Sequence, residues 1–135
     1  MTVTASKPSR QGTPLVVFFH GNSFPASTYR VMLDALRQRG MRVEALEKIG
    51  HDPAYPVTSN WPHLVKEVHA FAQPLRDAHA GPLVLVGHSL GGMLSLMLAA
   101  QAPALADAVV MVDAPAVGGL QAKVLQLSKT LALNK

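Results

Sequence analysis

The residues with the clearest chemical potential stand together in Gly87-His88-Ser89-Leu90-Gly91-Gly92. A serine flanked by glycines at this spacing can occupy the tip of a strained strand-to-helix turn, where its hydroxyl is presented as a nucleophile. The flanks agree with that geometry. Leu83-Val84-Leu85-Val86 reads as a strand, and an Ala/Leu/Met-rich stretch of helical pattern follows Ser89. Gly87 and Gly91 let the incoming strand and outgoing helix pass without a Cβ clash. The Ser89 hydroxyl is then expected above the end of a sheet, with the Leu90 amide free to stabilise an oxyanion. This is a nucleophilic-hydrolase signature. The competing reading, a tight turn with an incidental serine, is disfavoured by the flanking elements and by Gly92.

A second group lies at His20-Gly21-Asn22-Ser23, just after the apolar run Pro14-Leu15-Val16-Val17-Phe18-Phe19. One backbone donor leaves a developing oxyanion half solvated, so two must converge. The Asn22 or Ser23 amide is the candidate second donor. The side chain of His20 is read as an organiser of this loop, and the backbone beyond Gly21 as its functional part. His20, Gly21, Ser23 and His88 are expected around the pocket. No metal site is expected, because His51 and Asp52 are adjacent and cannot face one ion together. No cofactor is implied, since the glycines lack the Lys-Ser/Thr ending of a phosphate loop.

These groups require a frame that brings them together. A strand is predicted over 14–19. A helix capped by Ser27 or Thr28 follows, with Val31, Met32, Ala35 and Leu36 at helical spacing and Gly40 as its stop. A strand at 41–46 and a polar loop through Gly50-His51-Asp52-Pro53 come next. A helix then starts near Trp61 with Pro62 in its first turn and an apolar side of Leu64, Val65, Val68 and Phe71. Pro74 is expected to kink or end it near Gln73. Trp61 and Tyr55 either border the pocket or, for Trp61, pack the helix on the sheet. A strand at 83–86, a helix at 89–101 and a strand at 107–112 complete the pattern. Alternating strands and helices predict an α/β class: an open parallel sheet of about four strands with helices on both faces. Residues 1–13 read as a flexible arm, 14–117 as the core, and 118–135 as an amphipathic helix carrying Leu120, Val124, Leu127 and Leu131.

Composition narrows the function classes. The chain has 135 residues, is 49% hydrophobic and 15% charged, and carries a formal charge of +4. That is a foldable single-domain composition and not a disordered one. No basic stripe with interleaved aromatics is present, which argues against nucleic acid as a partner. With no cysteine, thiolate metal sites and disulfides are excluded. The polar start lacks a signal-peptide core, and no apolar run approaches the ~20 residues of a membrane span. A soluble cytoplasmic protein is expected.

Val16-Val17-Phe18-Phe19-His20-Gly21-Asn22, Val86-Gly87-His88-Ser89-Leu90-Gly91-Gly92 and Val110-Met111-Val112-Asp113-Ala114-Pro115 occur in the order and spacing of one family. Across residues 14 to 115 the chain resembles the N-terminal half of an α/β-hydrolase-fold protein of the serine esterase and lipase kind. The resemblance implies Ser89 as nucleophile, the Leu90 and Asn22 amides as oxyanion hole, and a small apolar acyl or ester substrate. It admits Asp113 as the carboxylate of a triad, or else as the cap of the following turn. It implies strands in the spatial order second-first-third-fourth, and 118–135 as the start of a cap. In the family a histidine after the final strand acts as base. Of the six histidines here, His88 is expected to point away or line the pocket, His63, His69 and His79 to be solvated, and His51 to be the one local substitute. The sequence is therefore expected to be a truncated α/β-hydrolase, weak or inactive as it stands. Its alternatives are a non-catalytic binding protein on the same fold and one half of a split hydrolase. Its last strand would leave an open apolar edge suited to self-association.

Overall fold

All five side chains of Leu15–Phe19 are buried, as a strand covered on both faces requires. Their alternation sorts them into two cores. Leu15, Val17 and Phe19 join a large cluster with Leu64, Val65, Val68, Leu94 and Leu98. Val16 and Phe18 join a smaller one with Leu33, Val43 and Val86. Phe18 and Phe19 are fully inaccessible, each contributing about 1.5–3 kcal/mol relative to exposure.

The computed structural model describes residues 2–6 and 10–113. Its elements are β1 (Thr2–Ser6), β2 (Leu15–Phe19), a 3-10 turn (Ala26–Tyr29) running into α1 (Arg30–Gln38), β3 (Arg42–Ala45), α2 (Pro62–Asp77), β4 (Leu83–His88), α3 (Leu90–Gln101) and β5 (Ala108–Val112). The sheet order is β1-β5-β4-β2-β3. Strands β3, β2, β4 and β5 are mutually parallel, in the expected order second-first-third-fourth. Helices α2 and α3 pack on one face through the larger cluster, and α1 packs on the other.

Four expectations are corrected. The first concerns the N-terminal arm over 1–13. Within it, Thr2–Ser6 pairs antiparallel with β5, from Thr2 opposite Val112 to Ser6 opposite Ala108. An unpaired β5 edge would leave a row of polar backbone groups without partners, and a short Thr/Val segment satisfies them. The second correction follows directly: the edge of β5 is occupied by β1, so it is not the open surface proposed for self-association. The third concerns Pro74, which does not end α2 near Gln73; the helix runs on to Asp77. Proline there removes the bond to the Ala70 carbonyl, and Ala70 is exposed, so water can replace it. The fourth concerns α1, whose buried residue is Leu33, with Met32 and Leu36 beside it, whereas Val31 is 82% exposed. The amphipathic helix expected over 118–135, and its role as the start of a cap, lie outside the described residues.

Candidate active site

Parallel register brings the chemical groups to one end of the sheet. Phe19 pairs with Gly87 and His88 with Val112. The segments that follow β2, β4 and β5 therefore leave the sheet side by side, which is where parallel sheets carry their sites. Ser89 lies directly between β4 and α3 with φ 54° and ψ −116°. That conformation is costly for a residue with a Cβ and persists only where the surroundings impose it. Its N–H donates to the Val112 carbonyl at 3.0 Å, anchoring the turn to the end of β5. Its own carbonyl accepts from Gly92 and Met93, starting the helix. Leu90 is the first residue of α3, so its amide is among those a helix leaves unpartnered at its positive end.

The fit between the two amide-bearing segments is close. A Cβ on Gly91 would stand 1.9 Å from the Phe19 carbonyl oxygen and 2.6 Å from that of His20. One on Gly87 would stand 2.2 Å from Gly91. The backbone leaving β2 thus lies against the first turn of α3, and only glycine permits it.

His20 shows why the loop after β2 holds its shape. The ring is only 5% exposed. Its Nε2 accepts the Ile49 N–H at 2.7 Å, so the proton sits on Nδ1, which donates to the Gly21 carbonyl at 2.7 Å. Peptide planarity makes the consequence specific: fixing the Gly21 carbonyl also fixes the direction of the Asn22 N–H. Asn22 and Ser23 are exposed, and Ser23 has φ 69°. Asp113 follows β5 at the level at which Ser89 follows β4, is exposed and has φ 48°. Register thus brings Ser89, Leu90, Asp113 and the Gly21–Ser23 backbone to one edge.

Other expected residues are placed differently. A cavity of about 330 Å³ is lined by His20, Ser23, Phe24, Pro25, Lys48 and His51. It adjoins the loop after β2, and neither Ser89, Gly21 nor His88 lines it. His51 is exposed at its wall. Among the described residues no histidine nitrogen bonds the Ser89 hydroxyl. His20 is committed as above, and His88 Nδ1 lies 2.7 Å from the Tyr29 hydroxyl. His69 contacts Gln73, and His79 contacts Arg42 and the Pro82 carbonyl, so these two are half-buried braces and not solvated rings. Trp61 packs against the larger core. Among the described residues no three side chains converge as metal ligands, and no helix is long and apolar enough to cross a membrane.

Two contributors escaped the sequence reading. Glu67, 7% exposed, accepts the Gly50 N–H at 3.0 Å and so pins the loop that His20 also holds. A carboxylate adjoining Val68 on the buried side of α2 was a usable signal. Tyr29 bonds both Gly21 and His88. No spacing rule links residues so far apart in sequence.

Residues 16–133 match the alpha/beta hydrolase family. The chain is 36% identical over 101 residues to an esterase of Mycobacterium tuberculosis, covering 74% of this chain and 33% of that protein. It is 30% identical over 107 residues to the sn-1-specific diacylglycerol lipase ABHD11 of Mus musculus, covering 78% of this chain and 34% of that one. It spans about a third of the length of these curated relatives. Among solved structures, a probable hydrolytic enzyme of Pseudomonas aeruginosa PAO1 superposes with TM-score 0.63 at 25% identity, covering 90% of this chain and 38% of that one. A CIB-like hydrolase of Thermoplasma acidophilum shares the fold with TM-score 0.68 at 18% identity, over 90% of this chain and 61% of the other.

Proposed function

This chain belongs to the alpha/beta hydrolase family, and from that premise we propose that it carries the nucleophile and oxyanion half of a site that hydrolyses an ester or related acyl bond. Ser89 Oγ attacks the acyl carbon. The carbonyl electrons move onto oxygen, and the Leu90 and Asn22 amides receive that charge. The serine proton passes to a general base on attack; collapse returns it to the departing alkoxide, so that the alcohol leaves and an acyl-Ser89 ester remains, which water then hydrolyses. Asp113 is the candidate carboxylate, since it leaves the sheet level with Ser89. The supporting relatives are an esterase and a diacylglycerol lipase, which favours a carboxylic ester with an apolar acyl part.

The single observation that carries this reading is the conformation of Ser89, φ 54° between a strand and a helix. A serine held in that state where glycine would be relaxed is a retained cost, and such costs cluster at reacting groups. The reaction also needs a general base, because a serine hydroxyl is a weak nucleophile at neutral pH. None of the described histidines bonds Ser89. All six histidines of the sequence are among the described residues, so the proposed reading takes His51, exposed on the loop after β3, as the base that reaches Ser89 once substrate is bound.

Intact mass after exposure to a fluorophosphonate tests the proposal, with Ser89→Ala as control. One stoichiometric adduct that the variant lacks is the expected result. A folded chain that takes no adduct would reduce the site to a binding pocket or to half of a divided enzyme.

A further inference from the structure

The loop after β2 is tied to the serine turn by a link outside the sheet. The Gly21 N–H donates to the Tyr29 hydroxyl at 3.0 Å. The same oxygen lies 2.7 Å from His88 Nδ1. A phenol has one proton to give and two lone pairs to offer. Gly21 occupies a lone pair, and among the described residues His88 Nδ1 is the acceptor in reach of the proton. Satisfying both groups makes Tyr29 the donor and assigns the imidazole proton of His88 to Nε2. The Tyr29 ring is itself fixed, 4.6 Å from Phe18 and 5.5 Å from the His88 ring between centroids. The packing is tight at Gly21: a Cβ there would stand 2.9 Å from His88 Nδ1 and 3.1 Å from the Tyr29 oxygen, so the linked rings would have to shift to admit it.

We propose that Tyr29 and His88 are positioning residues that hold the Gly21–Asn22 backbone in register with the Ser89–Leu90 turn, so that the two oxyanion amides stay convergent. Each end of the link sits one residue from a group that matters: Gly21 precedes Asn22, and His88 precedes Ser89. His20 fixes the peptide that carries the Asn22 N–H, while Tyr29 fixes the peptide before it. The two devices constrain successive planes of one loop, leaving little freedom to rotate the amide away. The inference rests on the reading of Ser89 and Asn22 given above.

The test uses the whole chain with Tyr29→Phe, which keeps the ring and deletes the hydroxyl, and with the pair His88→Asn and His88→Ala. Asparagine can restore an acceptor near the Nδ1 position; alanine cannot. Amide hydrogen exchange at Gly21 and Asn22 is read by NMR, beside the concentration dependence of fluorophosphonate reaction at Ser89. In Tyr29→Phe, exchange at Gly21 is expected to rise about five- to tenfold, the loss of one neutral hydrogen bond. The limiting reaction rate is expected to fall about tenfold with an unchanged half-saturating concentration. His88→Asn should lie nearer the unaltered chain than His88→Ala in both readouts, at matched melting temperature. Unchanged Gly21 exchange in Tyr29→Phe overturns the proposal, as does faster exchange with an unaltered limiting rate. If the unaltered chain takes no adduct, the reading of Ser89 fails separately. The Asn22 amide then decides: altered exchange there in Tyr29→Phe upholds the positioning role, and no change removes it.

Discussion

The two ends of the sheet are built on opposite terms. At the end where β4 and β5 begin, Asp107 and Arg76 are buried together, 6% and 7% exposed, and each charge is answered by the other. Arg76 donates to Asp107 at 3.1 Å, to the Leu105 carbonyl at 3.3 Å, to the Gly81 carbonyl at 2.7 Å and to the His79 carbonyl. Asp107 in turn accepts the Leu83 N–H at 2.9 Å. One ion pair thereby fastens the end of α2 to the starts of two strands. At the opposite end, Ser23, Ser89 and Asp113 all hold positive φ after β2, β4 and β5, and Asn60 and Trp61 do so in the loop after β3. Before β2 and β3 the positive-φ positions are Gly12 and Gly40, where that conformation costs little. Among the described residues, strain on residues with side chains is thus confined to the end that carries the proposed chemistry. The fold thus anchors itself at one end of its strands and holds its strained turns at the other.

Breaking the anchored end should have the largest effect. Asp107→Ala strands a buried guanidinium and the Leu83 N–H, and is expected to lower unfolding free energy by about 3–5 kcal/mol in urea titrations. The limiting adduct rate of the folded fraction should be unchanged; a matching fall would show that the two ends are coupled. At the strained end the sign should reverse. Ser89→Gly relieves the φ of 54° and is expected to gain about 1 kcal/mol by thermal melting, while abolishing any adduct. A destabilised glycine variant would mean that the turn stores no strain. The smallest effect belongs to Arg10, whose Nε lies 3.7 Å from Asp107 with its side chain 46% exposed. Arg10→Ala should cost less than about 0.5 kcal/mol and lose even that at high salt, which would confine the anchor to Arg76.

Much of the site was legible because its chemistry depends on residues close in sequence. Strand, Gly-x-Ser-x-Gly and helix are contiguous between Leu83 and Gln101, so one window contains the whole turn. His20 could be read as a loop organiser because it stands at a strand end beside the glycine it holds. Glu67, Tyr29 and Arg76 were not legible in this way. Each acts on a residue 8 to 59 positions away, and no local pattern records such a partner. The N-terminal segment failed for a related reason. Thr2–Ser6 carries too little apolar character to mark itself as a strand, and only the unpaired edge of β5 gives it a ladder to join.

Resemblance to the α/β-hydrolase family implied the strand order; by itself the sequence determined the α/β class, the parallel run of the strands and the placement of a serine at a strained strand-to-helix turn. These follow from hydrophobic periodicity, crossover length and the steric demands of glycine, all of which are local. Tertiary structure alone decided which distant backbone N–H the buried His20 accepts, which charge answers Arg76, and how the loop after β2 is aimed at the turn after β4. Those outcomes depend on hydrogen bonds between segments distant along the chain. Their partners are chosen by sheet register and by the requirement that every buried polar group be satisfied.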